Sequence, residues 1–445
     1  MLTLVLILLS ILIIVVSGTR FKLHPFLGLL IAAAFFGISS GLAPMKVIDL
    51  LNQGFGETIG KIGILIIFGL IIGTFLENSG GAYTLASKVL QMVGQKRVHT
   101  AMAFIGYIVS IPVFADSGFI ILSSLNRALT KKSGQSLAGT AIALSLGLTA
   151  THTMVPPTPG PIVAAGMIGA DLGRVIILGL IVSFLALSVT IFYARWTGRK
   201  IFIDPVPKTE NIHPESEHIK IPGPLKSFLP IFVPIVLIVL RSISEYPTHP
   251  FGTEALSHMI GFIGNPVMAM FVGVIIALSL PEKLEREMLS TTGWTGEALK
   301  SAAIIILVTG AGGAFGKVLQ SSDLEKLMNT SFFSSGWGIW LPFLVAATIK
   351  TAQGSSTVAI ITTATFIAPL LHNLSLDSET SKAMVVIAIG AGSAVVSHAN
   401  DSFFWVVTQL SDMNVKQGYR IQSLGTGLLG LSAMIFLSII NMIVS

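Results

Sequence analysis

The stretch Thr151-His-Thr-Met-Val-Pro-Pro-Thr-Pro-Gly-Pro161 decides how this chain folds. Apolar sequence runs up to it and away from it, yet four prolines and a glycine cannot continue a helix: proline lacks the N–H and clashes with the preceding turn. A loop unwound in the middle of an apolar span must bury its amides in protein or line a wet cavity, because unpaired backbone is expensive in hydrocarbon. Breaks of this kind are where membrane proteins build sites.

The surrounding composition supports that reading. Hydrophobic residues make up 52% of the 445 positions and charged ones 11%, against about 25% charged in soluble domains. An ordinary soluble enzyme is excluded. Apolar runs near the roughly 20 residues needed to cross a bilayer cover Leu2–Gly18, Pro25–Gly41, Ile62–Leu76, Val175–Arg195, Leu225–Leu240, Ile260–Leu280, Ser301–Leu319 and Ser423–Val444. The first lacks the basic start and small-residue cleavage site of a leader and reads as a spanning helix. Four further regions carry Gly, Pro, Asp or His inside apolar sequence: 98–127, 136–170, 336–371 and 383–413.

The net charge of +6 sits in short loops, which makes it a topology signal rather than a nucleic-acid footprint. Arg20/Lys22, Lys88/Lys96/Arg97, Arg127/Lys131/Lys132 and the segment from Arg195 to Lys226 mark cytoplasmic loops. Region 98–127 then enters and leaves on one side, a re-entrant hairpin with its tip near Asp116. Region 336–371 is a second hairpin, entering from the opposite face, and both termini face out.

The order of spanning helix, hairpin and helix broken at a histidine occurs twice with opposite orientation, as in inverted-repeat transporters. The expected layout is scaffold helices over 1–57, a first repeat over 58–197, a cytoplasmic linker over 198–224, further scaffold helices over 225–297 and a second repeat over 298–445. The fold class is an all-α polytopic membrane protein.

Chemistry-bearing residues gather at the breaks. Ser110-Ile-Pro-Val-Phe-Ala-Asp-Ser-Gly118 places Asp116, Ser117 and Gly118 at the first tip. A carboxylate at membrane depth is a functional candidate by default. Its bland alternative is satisfaction by the tip's own amides. The second tip, Lys350-Thr-Ala-Gln-Gly-Ser-Ser-Thr357, offers a cation, then Gly354, Ser355 and Ser356, groups able to replace a ligand's hydration shell. Lys350 is chosen to pair with a substrate carboxylate; a structurally paired or snorkelling lysine is the alternative.

The breaks carry Thr151, His152, Thr158 and Gly160 in the first and Ser397-His-Ala-Asn-Asp401 in the second. His152 and His398 suit a proton relay, although a lone histidine in apolar sequence is more often a neutral packing residue. Asp401 suits a proton carrier, with helix capping beside Asn400 as its alternative. There is no cysteine, and no phosphate-binding loop, nucleophile elbow or His-Glu-x-x-His motif, so neither a metal, a cofactor nor ATP hydrolysis is expected.

Several motifs together resemble the gluconate permease family: Arg20-Phe-Lys22, Gly80-Gly81, the Pro-Pro-x-Pro-Gly-Pro run at 156–161, Gly354-Ser355 followed by Thr357-Val-Ala-Ile360, and Ser397-His-x-Asn-Asp401 with Phe404-Trp405. The resemblance runs nearly end to end and implies proton-driven import of gluconate, a related sugar acid or D-serine across the inner membrane. It also implies a homodimer with elevator motion. Two positions depart from the family pattern. Thr158 stands where the proline run has His, and Phe114-Ala-Asp-Ser-Gly118 stands where an aromatic-Glu-Val-Gly tip is common.

The expectation is that Lys350 and inward helix starts hold a carboxylate. Ser117, Thr158, Ser355, Ser356 and Asn400 bind hydroxyls, with Gly118, Thr151, Gly160 and Gly354 around them, and Asp116 or Asp401 takes the proton. The rivals are sodium coupling in the same fold and, in another class, a channel or membrane enzyme.

Overall fold

The computed structural model describes residues 2–94, 97–205, 221–245, 251, 255–321 and 338–444, and these form helices joined mostly by short turns, with a longer segment at 278–293 that includes a 3-10 turn at Arg286–Leu289. Two short apolar helices, α1 (Leu2–Thr19) and α2 (Pro25–Ser39), pack on each other and lead into α3 (Pro44–Asn78) and α4 (Gly81–Val93). A helix pair follows, α5 (Val98–Val109) and α6 (Ala115–Ser133), then the broken span α7 (Leu137–Met154) and α8 (Pro159–Ile168), then α9 (Leu172–Lys200). The chain continues through α10 (Pro224–Ser244), α11 (Ala255–Ile263), α12 (Pro266–Ala277) and α13 (Trp294–Gln320).

The second helix pair is α14 (Trp340–Gln353) and α15 (Ser356–Ile367), the second broken span α16 (Glu379–Ala394) and α17 (Ser402–Leu410). The last helix, α18 (Val415–Val444), contains a π-turn at Tyr419–Ser423. Among the described residues six helices are long and apolar enough to cross a membrane, or seven if α11 and α12 are one bent span. The chain is a multi-pass membrane protein.

All four interrupted regions read from sequence are interrupted here. α7 starts at Ser136, whose hydroxyl accepts from the Ala138 amide, and stops at Val155 because Pro156 and Pro157 follow. α8 restarts with Pro159 in its first turn, where a missing N–H is harmless. The α7–α8 span is 94% buried, against 39% for α10. A helix apolar on every face belongs at the centre, and α7 is packed by α5, α6, α9 and α16.

Three expectations need correction. The run Ile260–Leu280 is not one straight helix: α11 and α12 meet at 63°, because Pro266 cannot continue α11 and the Asn265 side chain caps the Val267 amide. The helix expected over Ile62–Leu76 begins at Pro44 and runs 35 residues. Its polar first half includes Glu57, which pairs with Lys317 of α13 at 3.0 Å. The segment around Lys88, read as a loop, is α4, an amphipathic helix burying Ala82, Leu85, Ala86, Val89 and Leu90. Of the expected linker, residues 206–220 lie outside the described residues, as do residues 322–335 of the expected outer loop.

Packing crosses between the halves. α3 lies along α13, so closely that a Cβ at Gly54 would meet the Gly313 carbonyl. α6 packs on α17 and α15 on α8, so each helix pair meets the other half's broken span. That crossing brings the two tips and the second break to one place.

Candidate functional site

A cavity of about 480 Å³ opens where the tip before α6, the turn between α14 and α15, and the unwound segment before α17 converge. Its wall from the first tip is Phe114 to Ser117; its wall from the second runs from Gln353 to Thr357. Thr149 and His152 of α7, Thr426 of α18 and residues Ser397 and Asn400 to Phe403 close it.

The strongest feature is an ion pair. Lys350 Nζ lies 2.6 Å from Asp401 Oδ2, with the two side chains 2% and 8% exposed, and it also donates to the Gly354 carbonyl. Asp401 is fully used: Oδ2 accepts from the Ser397 hydroxyl at 2.5 Å and Oδ1 caps α17 through the Phe403 amide at 3.0 Å. Lys350 is therefore already paired. Asp401 is thus the helix cap that was the alternative to a proton carrier, and it is also the partner of Lys350.

Around the pair, the end of α14 is stitched to the second break. Asn400 Nδ2 donates to the Thr351 and Ala352 carbonyls at 2.9 and 3.0 Å, and His398 Nε2 donates to Thr351 at 2.8 Å. These carbonyls are among the last of a helix, which have no intrahelical partner. Gly354 ends α14 at φ +84, and a Cβ there would strike the Asn400 carbonyl. Only glycine fits such a turn.

From the other side, Asp116 sits in the first turn of α6 and accepts from the Ser402 hydroxyl at 3.0 Å. Phe119 and Phe403 meet edge to face at 6.1 Å behind it. α6, α15 and α17 all begin at this cavity, and helix starts carry partial positive charge that favours an anion.

The residues expected to act together divide into two sets. Asp116, Ser117 and His152 line the cavity, as do Lys350, Gly354, Ser355, Ser356, Asn400 and Asp401, while His398 stands just behind it on Thr351. The remaining four lie elsewhere. Thr151 donates to the Tyr107 carbonyl at 2.9 Å and Thr158 to the Val155 carbonyl at 2.7 Å, both buried. Gly118 packs under Leu148 and Gly160 against Ile360.

Sequence reasoning passed over Ser402, Thr149 and Thr426. A hydroxyl in a helix carries no signal of which way it faces. It also passed over Glu77 and Glu297, which line a second cavity of about 200 Å³ that shares Phe114 and Ser117 with the first.

With the geometry in place, comparisons with known proteins bear on what it serves. The profile of the GntP family permeases matches residues 2–443. The chain belongs to the GntP permease family. It is similar to a gluconate permease of Pseudomonas aeruginosa, 31% identical over 96% of this chain and 95% of that protein. It is equally similar to a D-serine transporter of Escherichia coli, 31% identical over 94% of each. The fold resembles the crystal structure of the Alcanivorax borkumensis YdaH transporter, described as having an unusual topology, with a TM-score of 0.64 at 15% identity over 89% of this chain and 88% of that one. This GntP permease is thus a transporter and not an enzyme.

Proposed function

We propose that this permease imports a small hydroxylated carboxylate of the gluconate kind, across the inner membrane, by proton symport. The observation that carries the reading is the charge balance of the cavity. Lys350 and Asp401 neutralise each other, which leaves Asp116 as a further carboxylate at the same cavity. An anionic substrate entering beside an ionised Asp116 meets repulsion in a low dielectric. A proton taken up on Asp116 removes that repulsion, and one taken up on Asp401 releases the Lys350 charge to offset it; in either case binding of anion and proton become coupled.

The helix starts and the hydroxyls of Ser117, Ser355, Ser356 and Ser402 then meet the carboxylate and hydroxyl groups. A volume of about 480 Å³ is in the range of small-ligand pockets. The two halves act as inverted repeats, and the hairpins with their broken spans move as a body along the α3–α13 pair in an elevator motion within a homodimer.

Uptake of radiolabelled gluconate into proteoliposomes with an imposed inward proton gradient tests this. Concentrative uptake that collapses with the gradient is expected, and related sugar acids compete. Flux that follows sodium at fixed pH replaces the proton with sodium; absence of both uptake and binding removes gluconate. A second reading, D-serine or a similar hydroxy amino acid, is favoured by Asp116 itself, which offers an ammonium group a carboxylate partner. D-serine outcompeting sugar acids in the same assay selects it.

A further inference from the structure

Away from the transport cavity, a cavity of about 320 Å³ lies where the start of α5 meets the end of α9, lined by Arg97, His99, Gln135, Arg195 and Arg199. Among the described residues its lining holds three guanidinium groups and no Asp or Glu. Arg195 is held in place by a 2.6 Å hydrogen bond to the Thr100 hydroxyl. The His99 ring is wedged against Gly139 and Gly198 and forms the wall. α5 starts without a side-chain cap.

Neighbouring residues fix the depth of this cavity relative to the bilayer. Phe192, Trp196 and Phe202 are 68%, 53% and 70% exposed, and Lys200 stands over the Trp196 ring at 4.5 Å. Exposed aromatics interleaved with basic residues at the end of a spanning helix mark the membrane–water interface, the level of lipid phosphates.

We propose that this cavity is a phosphate-group site, occupied by the headgroup of an anionic membrane lipid. Arginine forks match phosphate oxygens in pairs, and an uncapped helix start favours the same charge. A basic pocket between spanning helices at headgroup depth suits lipids with exposed phosphates. Free phosphate shares the chemistry, but the aromatic rim beside the cavity is apolar surface suited to acyl chains, which a soluble anion does not need.

The test uses the full chain, delipidated in neutral detergent, with native mass spectrometry and thermal unfolding as readouts. Probes are phosphatidylglycerol, cardiolipin, phosphatidylcholine and inorganic phosphate. The wild type is expected to retain the two anionic lipids and to gain thermal stability from them, but not from phosphatidylcholine.

Arg97→Gln/Arg199→Gln lowers that retention about tenfold or more, while Lys131→Gln/Lys132→Gln, which removes as much exposed positive charge elsewhere, leaves it intact. A gain from inorganic phosphate alone, lost in the arginine variant, assigns the site to a soluble phosphate and overturns the lipid occupant. Equal retention by wild type and arginine variant, or equal loss in the lysine control, overturns the site.

Discussion

The two broken spans interrupt apolar helices by opposite means. Between α7 and α8 the break is written in prolines, which cannot donate, and the one hydroxyl in it, Thr158, turns inward to the Val155 carbonyl. It is buried and sealed. Between α16 and α17 the segment Val395-Val-Ser-His-Ala-Asn-Asp401 contains no proline or glycine. Hydrogen bonds hold it in place: His398, Asn400 and Asp401 tie it to α14, Asp401 caps α17, and Ser423 and Thr426 of α18 bond the Ser397 backbone. Proline fixes φ, which narrows the conformations open to the first break. A break made by side-chain bonds loses its shape when those bonds change partners, and this one lines the cavity.

The sharpest way to break the contrast is to remove half of the buried ion pair. Asp401→Ala leaves a lysine 2% exposed without its counter-charge, which costs roughly 3–5 kcal/mol and abolishes uptake. The double variant Lys350→Met/Asp401→Ala recovers most of the lost stability and none of the transport, read by thermal unfolding in detergent and by uptake. Full stability in the single variant would mean that the second break does not depend on the pair.

Next in size is Gly354→Ala. The residue sits at φ +84 against the Asn400 carbonyl, and forcing a Cβ there costs about 1–3 kcal/mol. Because the tip of α14 and the second break must separate to accept it, uptake is expected to fall by about tenfold or more, in line with the sensitivity of positioned groups to small displacements. A matching substitution in the sealed break, Gly160→Ala, meets only the end of the Ile360 side chain, and uptake is expected to stay near wild type.

A smaller effect follows from Asn400→Ala. Thr351 and Ala352 lose a donor, but Asn400 is exposed and water replaces it, so stability drops by only about 0.5–1.5 kcal/mol. The apparent KM for substrate should rise severalfold while the protein remains folded. An unchanged KM would take Asn400 out of the site.

How far the sequence was legible follows from the same contrast. Breaks announce themselves by proline, glycine and stray polar residues in apolar runs, and all four interruptions lie in the regions where those residues stand. Which break faces the ligand was not legible, because that depends on which side chains find partners within the protein. Thr151 and Thr158 have the same chemistry as Ser355 and Ser356, yet the first two are spent on nearby carbonyls. The pairing of Lys350 with Asp401 joins residues 51 positions apart, a distance over which no periodicity speaks. α4 went unread because its lysine drew attention to charge while its apolar face kept helical spacing.

The last prediction concerns Thr158, a break residue expected from the sequence to bind a ligand hydroxyl. Thr158 is 2% exposed and its hydroxyl is 2.7 Å from the Val155 carbonyl, so Thr158→Val removes a buried hydrogen bond and keeps the shape. The expected loss is about 1 kcal/mol of stability, with KM and pH dependence of uptake unchanged. Ser355→Ala provides the counterpart: its hydroxyl caps α15 at the cavity wall, so a similar loss of stability should come with a raised KM. If instead Thr158→Val raises KM and Ser355→Ala does not, the proline-built break opens onto ligand during the transport cycle, and the sealed state seen here is one position of a moving part.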